Sequence, residues 1–264
     1  MITLPGPTPS FEGATGRSLT RRAAACLPSL THLSTASLRA AFVTNDLPAG
    51  AYSQWMESGE GCVVRDVDGK AFIDYMGSFG PSLLGHKHPC VEAAIAEQRS
   101  RGDCLAGPTA RMVELAEALT SPPYLDWSSW AFFAKNGSDA TVVAVRVARA
   151  ATGRRTCLRA PRSYHGAASI WREGTPEELL REGVLAGEAA HLAPYRYNDL
   201  ASVERAADAA GDDFAGIIVA AFRWDYGRPQ EIATAAFLTG VRRLCDERGA
   251  ALICDDVRVG GGRE

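Results

Sequence analysis

Four short apolar runs, near residues 130–134, 156–160, 215–221 and 250–255, alternate with helical patterns near 89–100, 109–120, 139–151, 199–209 and 234–248. Runs this short and this apolar read as strands buried on both faces. Their alternation with helices predicts a parallel sheet covered on both sides. The last run, Ala251-Leu252-Ile253-Cys254, ends in Asp255, Asp256 and Val257. Ligand sites in open α/β sheets gather at the carboxyl ends of strands. A carboxylate is costly to bury there unless a cation faces it. Asp255 therefore calls for a cationic partner.

The 264 residues are 46% hydrophobic and 22% charged, enough apolar content for one large or two modest domains. A net charge of −3 and scattered arginines point away from nucleic acid. No stretch is long and apolar enough to span a bilayer. Seven cysteines are present and none forms a CxxC pair, so neither a zinc site nor a disulfide framework is expected. A reducing cytoplasm is the simpler setting. Residues 1–40 are rich in Arg, Ser and Thr with Glu12 alone acidic, a mild likeness to a transit peptide. They are read as an N-terminal arm, with a short helix around Ser18 to Cys26.

Residues 41–88 form a second segment. Cys62 to Asp66 and Ala71 to Tyr75 flank Asp68-Gly69 and read as a β-hairpin. A glycine-rich bend follows, from Gly77-Ser78-Phe79-Gly80-Pro81 to Gly85-His86-Lys87-His88-Pro89. From residue 89 to 264 the strand and helix alternation defines a large domain.

Three places in that domain could carry chemistry. Asn136-Gly137-Ser138-Asp139 follows an apolar run and opens a helix, where backbone N–H groups and the helix dipole suit a phosphate. Taken alone it reads first as an ordinary N-cap. Ser163-Tyr164-His165-Gly166 follows the second run, and its tyrosine could stack on a planar ligand or simply pack in a turn. His165 could be a base or a metal ligand, but with no second ligand nearby a structural or cofactor-packing role fits better. Asp255 is the third, its bland alternative a helix cap or surface ion pair. Phosphate loop, aromatic ring and carboxylate in this order make one site more economical than three coincidences. A dinucleotide-binding fold is set aside because no GxGxxG follows a first strand.

These segments resemble a known family. "DVDGKAFIDY", "GPSLLGHKHP", "FFAKNGSDATVVAVRVARAATGR", "SYHG" and "LICDDV" are similar to motifs of class III pyridoxal-phosphate (PLP) aminotransferases, with glutamate-1-semialdehyde aminomutase-like members most similar. The resemblance runs over residues 35–257. It implies a fold-type I PLP-transferase large domain, a homodimer, and amino transfer between an amino acid or amine and a carbonyl acceptor. Gly137 and Ser138 would bind the cofactor phosphate, Tyr164 would stack on the pyridine ring, and His165 would pack nearby. Asp255 would hold the ring nitrogen protonated, letting the ring draw electrons from the substrate. Ser78 and Phe79 would begin the substrate pocket.

The chain also departs from the family. Its lysines are Lys70, Lys87 and Lys135, and none matches the Schiff-base position beyond the aspartate strand. Ala220-Ala221-Phe222-Arg223 replaces the Glu-Pro pair common in the family. The expectation is a large domain incomplete at its C-terminus, with no small domain, that does not turn over. The alternative is a non-catalytic PLP-binding fragment that pairs with an intact homologue.

Overall fold

A computed structural model of the chain describes residues 13–26, 55–125, 127–185, 187, 190–223, 230–258 and 260. The described residues fall into two compact units, divided between Gly107 and Pro108. That break comes later than the boundary read at residue 89, because the helix expected to open the large domain lies with the first unit. The loop that ends at Gly107-Pro108 supplies the chain-breaking residues.

In the first unit, helix α1 (Ala14–Cys26) precedes an antiparallel sheet of β1 (Met56–Glu60), β2 (Val63–Asp66) and β3 (Ala71–Ile73), followed by α2 (Pro89–Arg99). Asp66 closes the hairpin: its buried carboxylate accepts the Asp68 and Lys70 N–H groups at 3.0 and 2.8 Å. The following bend is held by Asp74. One of its oxygens accepts the Met76 and Gly77 N–H groups, and the other sits 2.8 Å from His86 Nε2. The backbone then passes through four consecutive left-handed residues, with φ of 51° at Gly77, 54° at Ser78, 67° at Phe79 and 118° at Gly80. Ser78 and Phe79 are thus held in a conformation that side chains ordinarily avoid.

The second unit is a parallel sheet of β4 (Thr156–Arg159), β5 (Leu192–Pro194), β6 (Phe214–Val219) and β9 (Ala251–Cys254), in the order β5-β4-β6-β9. A small antiparallel pair, β7 (Phe222–Arg223) and β8 (Glu231–Ile232), follows β6. The helices are α3 (Ala110–Leu119), α4 (Gly137–Thr152), α5 (Pro176–Arg181), α6 (Leu200–Ala210) and α7 (Ala235–Arg248). Leu158, Ile217 and Val219 pack with Val203 and Ala207 of α6 and Phe237, Val241 and Leu244 of α7. Cys157, Ala215 and Ile218 pack with Val145 of α4 and with Trp171. Helices thus cover both faces, as the apolar runs predict.

Strand β6 does not alternate evenly. Thr156 pairs with Phe214 but Cys157 pairs with Gly216, so Ala215 is an extra residue. This bulge puts Phe214 on the same face as Ile217, and Ala215 on the face of Ile218. Gly216 allows β9 to close in, since a Cβ there would meet the Ala251 carbonyl oxygen at 2.6 Å.

One expected strand is absent. Residues 130–134 pair with no strand among the described residues, and Trp130, Phe132 and Phe133 stay exposed. An apolar run supplies strand propensity but not the neighbour a strand needs.

Candidate active site

Helix α4 begins where the sequence places its cap. Asn136 is extended, and its side-chain oxygen accepts the Asp139 N–H at 2.9 Å, leaving Gly137 and Ser138 to open the helix. The loop after β4 packs directly on this start. Gly166 has a φ of 122°, and a Cβ there would lie 2.7 Å from Ser138 Oγ and 2.8 Å from Ser138 Cα. The Ala167 N–H donates to Ser138 Oγ at 3.0 Å. Thr141, in the first turn of α4, donates its hydroxyl to the His165 carbonyl at 2.6 Å. The start of α4 and the loop after β4 are therefore one knitted structure. Thr141 is invisible as a site residue in the sequence, where it reads as one more position in a helix.

Asp255 continues the β6–β9 ladder by one bond, its N–H donating to the Val219 carbonyl at 2.8 Å. Its Oδ2 lies 2.8 Å from His165 Nδ1, and the two side chains are 8% and 1% exposed. With the carboxylate ionised, this bond places the imidazole proton on Nδ1. The His165 ring tilts against Trp171, with centroids 5.4 Å apart, and Nε2 is buried with no hydrogen-bond partner. His165 therefore faces Asp255 and an aromatic ring, and is not among the residues that line the pocket. Asp255 Oδ1 carries a long contact, 3.4 Å from the Val257 N–H.

A pocket opens on Asp255, lined by Ser163, Tyr164, Phe222, Arg223 and Arg258 among others. Tyr164 is 45% exposed. Partial burial raises its phenol above the ordinary value while Arg258 pulls the other way. Ser163 Oγ is buried with no hydrogen-bond partner. Arg223 pairs with Glu231 at 3.1 Å, and its guanidinium lies 5.0 Å from the centre of the Tyr197 ring. Tyr197 donates to the Ala220 carbonyl at 2.7 Å, and burial pushes its phenol up to about 12. Arg223 and Arg258 carried no signal as site residues in the sequence, because their approach depends on a β-ribbon and a turn.

The structure thus brings Tyr164, His165 and Asp255 together and ties Ser138 to the same loop. Gly137 and Ser138 stand at the helix start and do not line the Asp255 pocket. Ser78 and Phe79 belong to the first unit. No lysine lines the pocket.

The parallel sheet, with a carboxylate at the end of β9 and a helix start beside an aromatic loop, is an architecture of PLP-dependent transferases. The sequence matches the class-III aminotransferase family over residues 49–264, and the chain belongs to that family. It is similar to an aminopentol aminotransferase from Sphingopyxis macrogoltabida, 42% identical over 209 residues, or 79% of this chain and 48% of that protein. Its fold is similar to the PLP internal aldimine form of the FumI protein from Sphingopyxis sp. MTA144. That match has a TM-score of 0.82 and 38% identity, and covers 94% of this chain and 56% of the other. A glutamate-1-semialdehyde aminomutase from Pseudomonas aeruginosa shares the fold with a TM-score of 0.62 at 24% identity, over 78% of this chain and 45% of its own. The chain spans about half the length of these relatives.

Proposed function

We propose that this chain holds pyridoxal 5'-phosphate in the Asp255 pocket and serves amino-group transfer between an amino acid or amine and a carbonyl acceptor. The observation that carries the reading is the Asp255 carboxylate, buried at a strand's carboxyl end, with one oxygen engaged by His165. The residues fit the cofactor. Ser163 Oγ is an orphaned polar atom beside the pocket, and the close Ser138–Gly166 packing forms a backbone cradle at a helix start. When bound, PLP supplies an electron sink.

The chain's own part is to bind and orient. Asp255 would hold a proton on the ring nitrogen, and His165, through its 2.8 Å bond, fixes which way the carboxylate points. Tyr164 offers a ring face for stacking. The N–H groups at Gly137 and Ser138 suit the phosphate at the positive end of the helix dipole. Ser78 and Phe79 are assigned to substrate recognition on family resemblance.

No lysine is among the described residues that line the pocket, so these residues would hold the cofactor by charge and stacking and would not turn over by themselves. A PLP-binding partner of an intact homologue is the second reading, favoured by the same absence. Exposed Trp127, Trp130 and Phe132 support a second copy of the chain as partner. Unpaired Cys157 and Cys245 support a cytoplasmic setting. No described helix is long and apolar enough to cross a membrane.

The test is a PLP titration followed by absorbance and fluorescence. Saturable binding is expected, weakened roughly 10- to 100-fold in Asp255→Asn, which loses a charged hydrogen-bond partner. An unchanged affinity in that variant would defeat the pyridinium assignment. Transamination by the 264 residues alone would defeat the claim that they do not turn over.

A further inference from the structure

We infer that Asp74 and His86 form a catch that holds the bend at residues 77–80 in a strained state, making that bend a two-state switch. The bend leaves and rejoins the hairpin at neighbouring residues. The Asp74 N–H donates to the Cys62 carbonyl at 2.8 Å, and His86 pairs with Gly61 through two backbone bonds of 2.9 and 2.8 Å. Gly59 lets the imidazole lie against β1, since a Cβ there would meet the ring at 2.7 Å. His86 is thereby fixed, and its Nε2, 2.8 Å from one oxygen, sets the direction of the Asp74 carboxylate. The other oxygen then accepts the Met76 and Gly77 N–H groups at 3.0 and 2.9 Å. Those bonds fix the entry to the left-handed run that begins at Gly77.

Glycine takes such backbone angles freely, and it stands at 77 and 80. Ser78 and Phe79 stand between them with side chains that resist the same angles. Conformers of this kind persist only where the surroundings over-determine them, and they gather at switch regions. Around this bend the surroundings are thin. Tyr75, Met76, Leu83 and Leu84 are all exposed, so side-chain packing does little to hold it. Ser82 donates its hydroxyl to Ser78 Oγ at 3.0 Å, but that bond is exposed to water. The Asp74 bonds to His86 and Gly77 are part-buried and hold where the others yield. Once they are released, Ser78 and Phe79 return to ordinary backbone angles and their side chains take new directions. That these two residues meet a substrate rests on the family reading; the catch does not.

The experiment reads the ¹³Cα shifts and the amide-to-Hα couplings of Ser78 and Phe79 by NMR of the full chain. PLP affinity is measured in parallel by fluorescence. The parent should show left-handed angles at both residues. Asp74→Ala and His86→Ala should each shift the balance toward ordinary angles by about tenfold or more. His86→Gln, whose amide still donates to the carboxylate, should restore part of the parent state. Where a variant does not fold, relaxation dispersion on the parent decides. Exchange confined to residues 75–85 is expected, and its absence overturns the switch. Ordinary angles in the parent, or left-handed angles that persist in folded Asp74→Ala and His86→Ala, overturn the inference and leave the cofactor reading standing. A bend that responds in a chain that binds no PLP does the reverse.

Discussion

Asp255 and His165 stand ninety residues apart in the chain and meet across a strand. His165 follows β4 and Asp255 follows β9, and both strands flank β6 in the sheet. Their 2.8 Å bond therefore bridges the carboxyl end of β6. The direction of the carboxylate is set by the sheet itself. The Trp171 ring packs against the imidazole, tilted, with centroids 5.4 Å apart.

Replacing His165 with alanine leaves a buried carboxylate without its partner. The expected loss is about 1–3 kcal/mol of folding stability, together with weaker PLP binding. Urea denaturation and a PLP titration on the same sample measure both. Full stability in His165→Ala would mean that the pair contributes nothing.

Thr141→Val keeps the volume close and removes the hydroxyl that reaches the His165 carbonyl at 2.6 Å. A loss of about 0.5–1.5 kcal/mol is expected. Faster amide exchange in residues 163–167, with α6 unaffected, would locate the effect in the loop.

Gly166→Ala should be more severe. Its backbone has a φ of 122°, and the added carbon would press on the Ser138 backbone and hydroxyl. Melting temperature should fall and the PLP affinity should drop with it. A variant as stable as the parent would show that the two loops are not in fixed contact.

In the first unit, the prediction concerns pH. The Asp74 carboxyl lies below its ordinary value of 3.8, chiefly through His86 and then the Gly77 N–H. A lowered folded value stabilises the native state at pH above the unfolded value, and the gain is lost as pH falls through the folded one. Stability should decline below about pH 4 in the parent more steeply than in Asp74→Asn, as read by denaturation at pH 3 to 6.

The elements were legible where local chemistry settles them. Asn136 and Thr234 each cap a helix that the periodicity places, and the apolar runs at β4, β6 and β9 suit a sheet covered on both faces, whereas the short helix that Thr175 caps is not among the helices read from the sequence. The polar strand Met56–Glu60 was not legible, because its sequence, MESGE, lacks alternation and it pairs only through β2. The run at 130–134 misled for the opposite reason, being apolar without a described partner. In the site, Tyr164, His165 and Asp255 could be singled out by type and order, but their pairing could not. A charge-seeking aspartate in sequence accepts any cation, and only the β4-β6-β9 order shows that histidine reaches it. Thr141 and Arg223 are defined by what they touch across the fold, which spacing along the chain does not encode.

The knitting of Ser138 to Gly166 and of Thr141 to the His165 carbonyl has a thermodynamic consequence. Ordering a loop of several residues costs about 1–2 kcal/mol of conformational entropy per residue. Here that ordering is completed when the chain folds, so an arriving ligand meets a loop already in place. Substitutions that loosen the contact should then appear in the entropy of binding, even where every group that touches the ligand is unchanged.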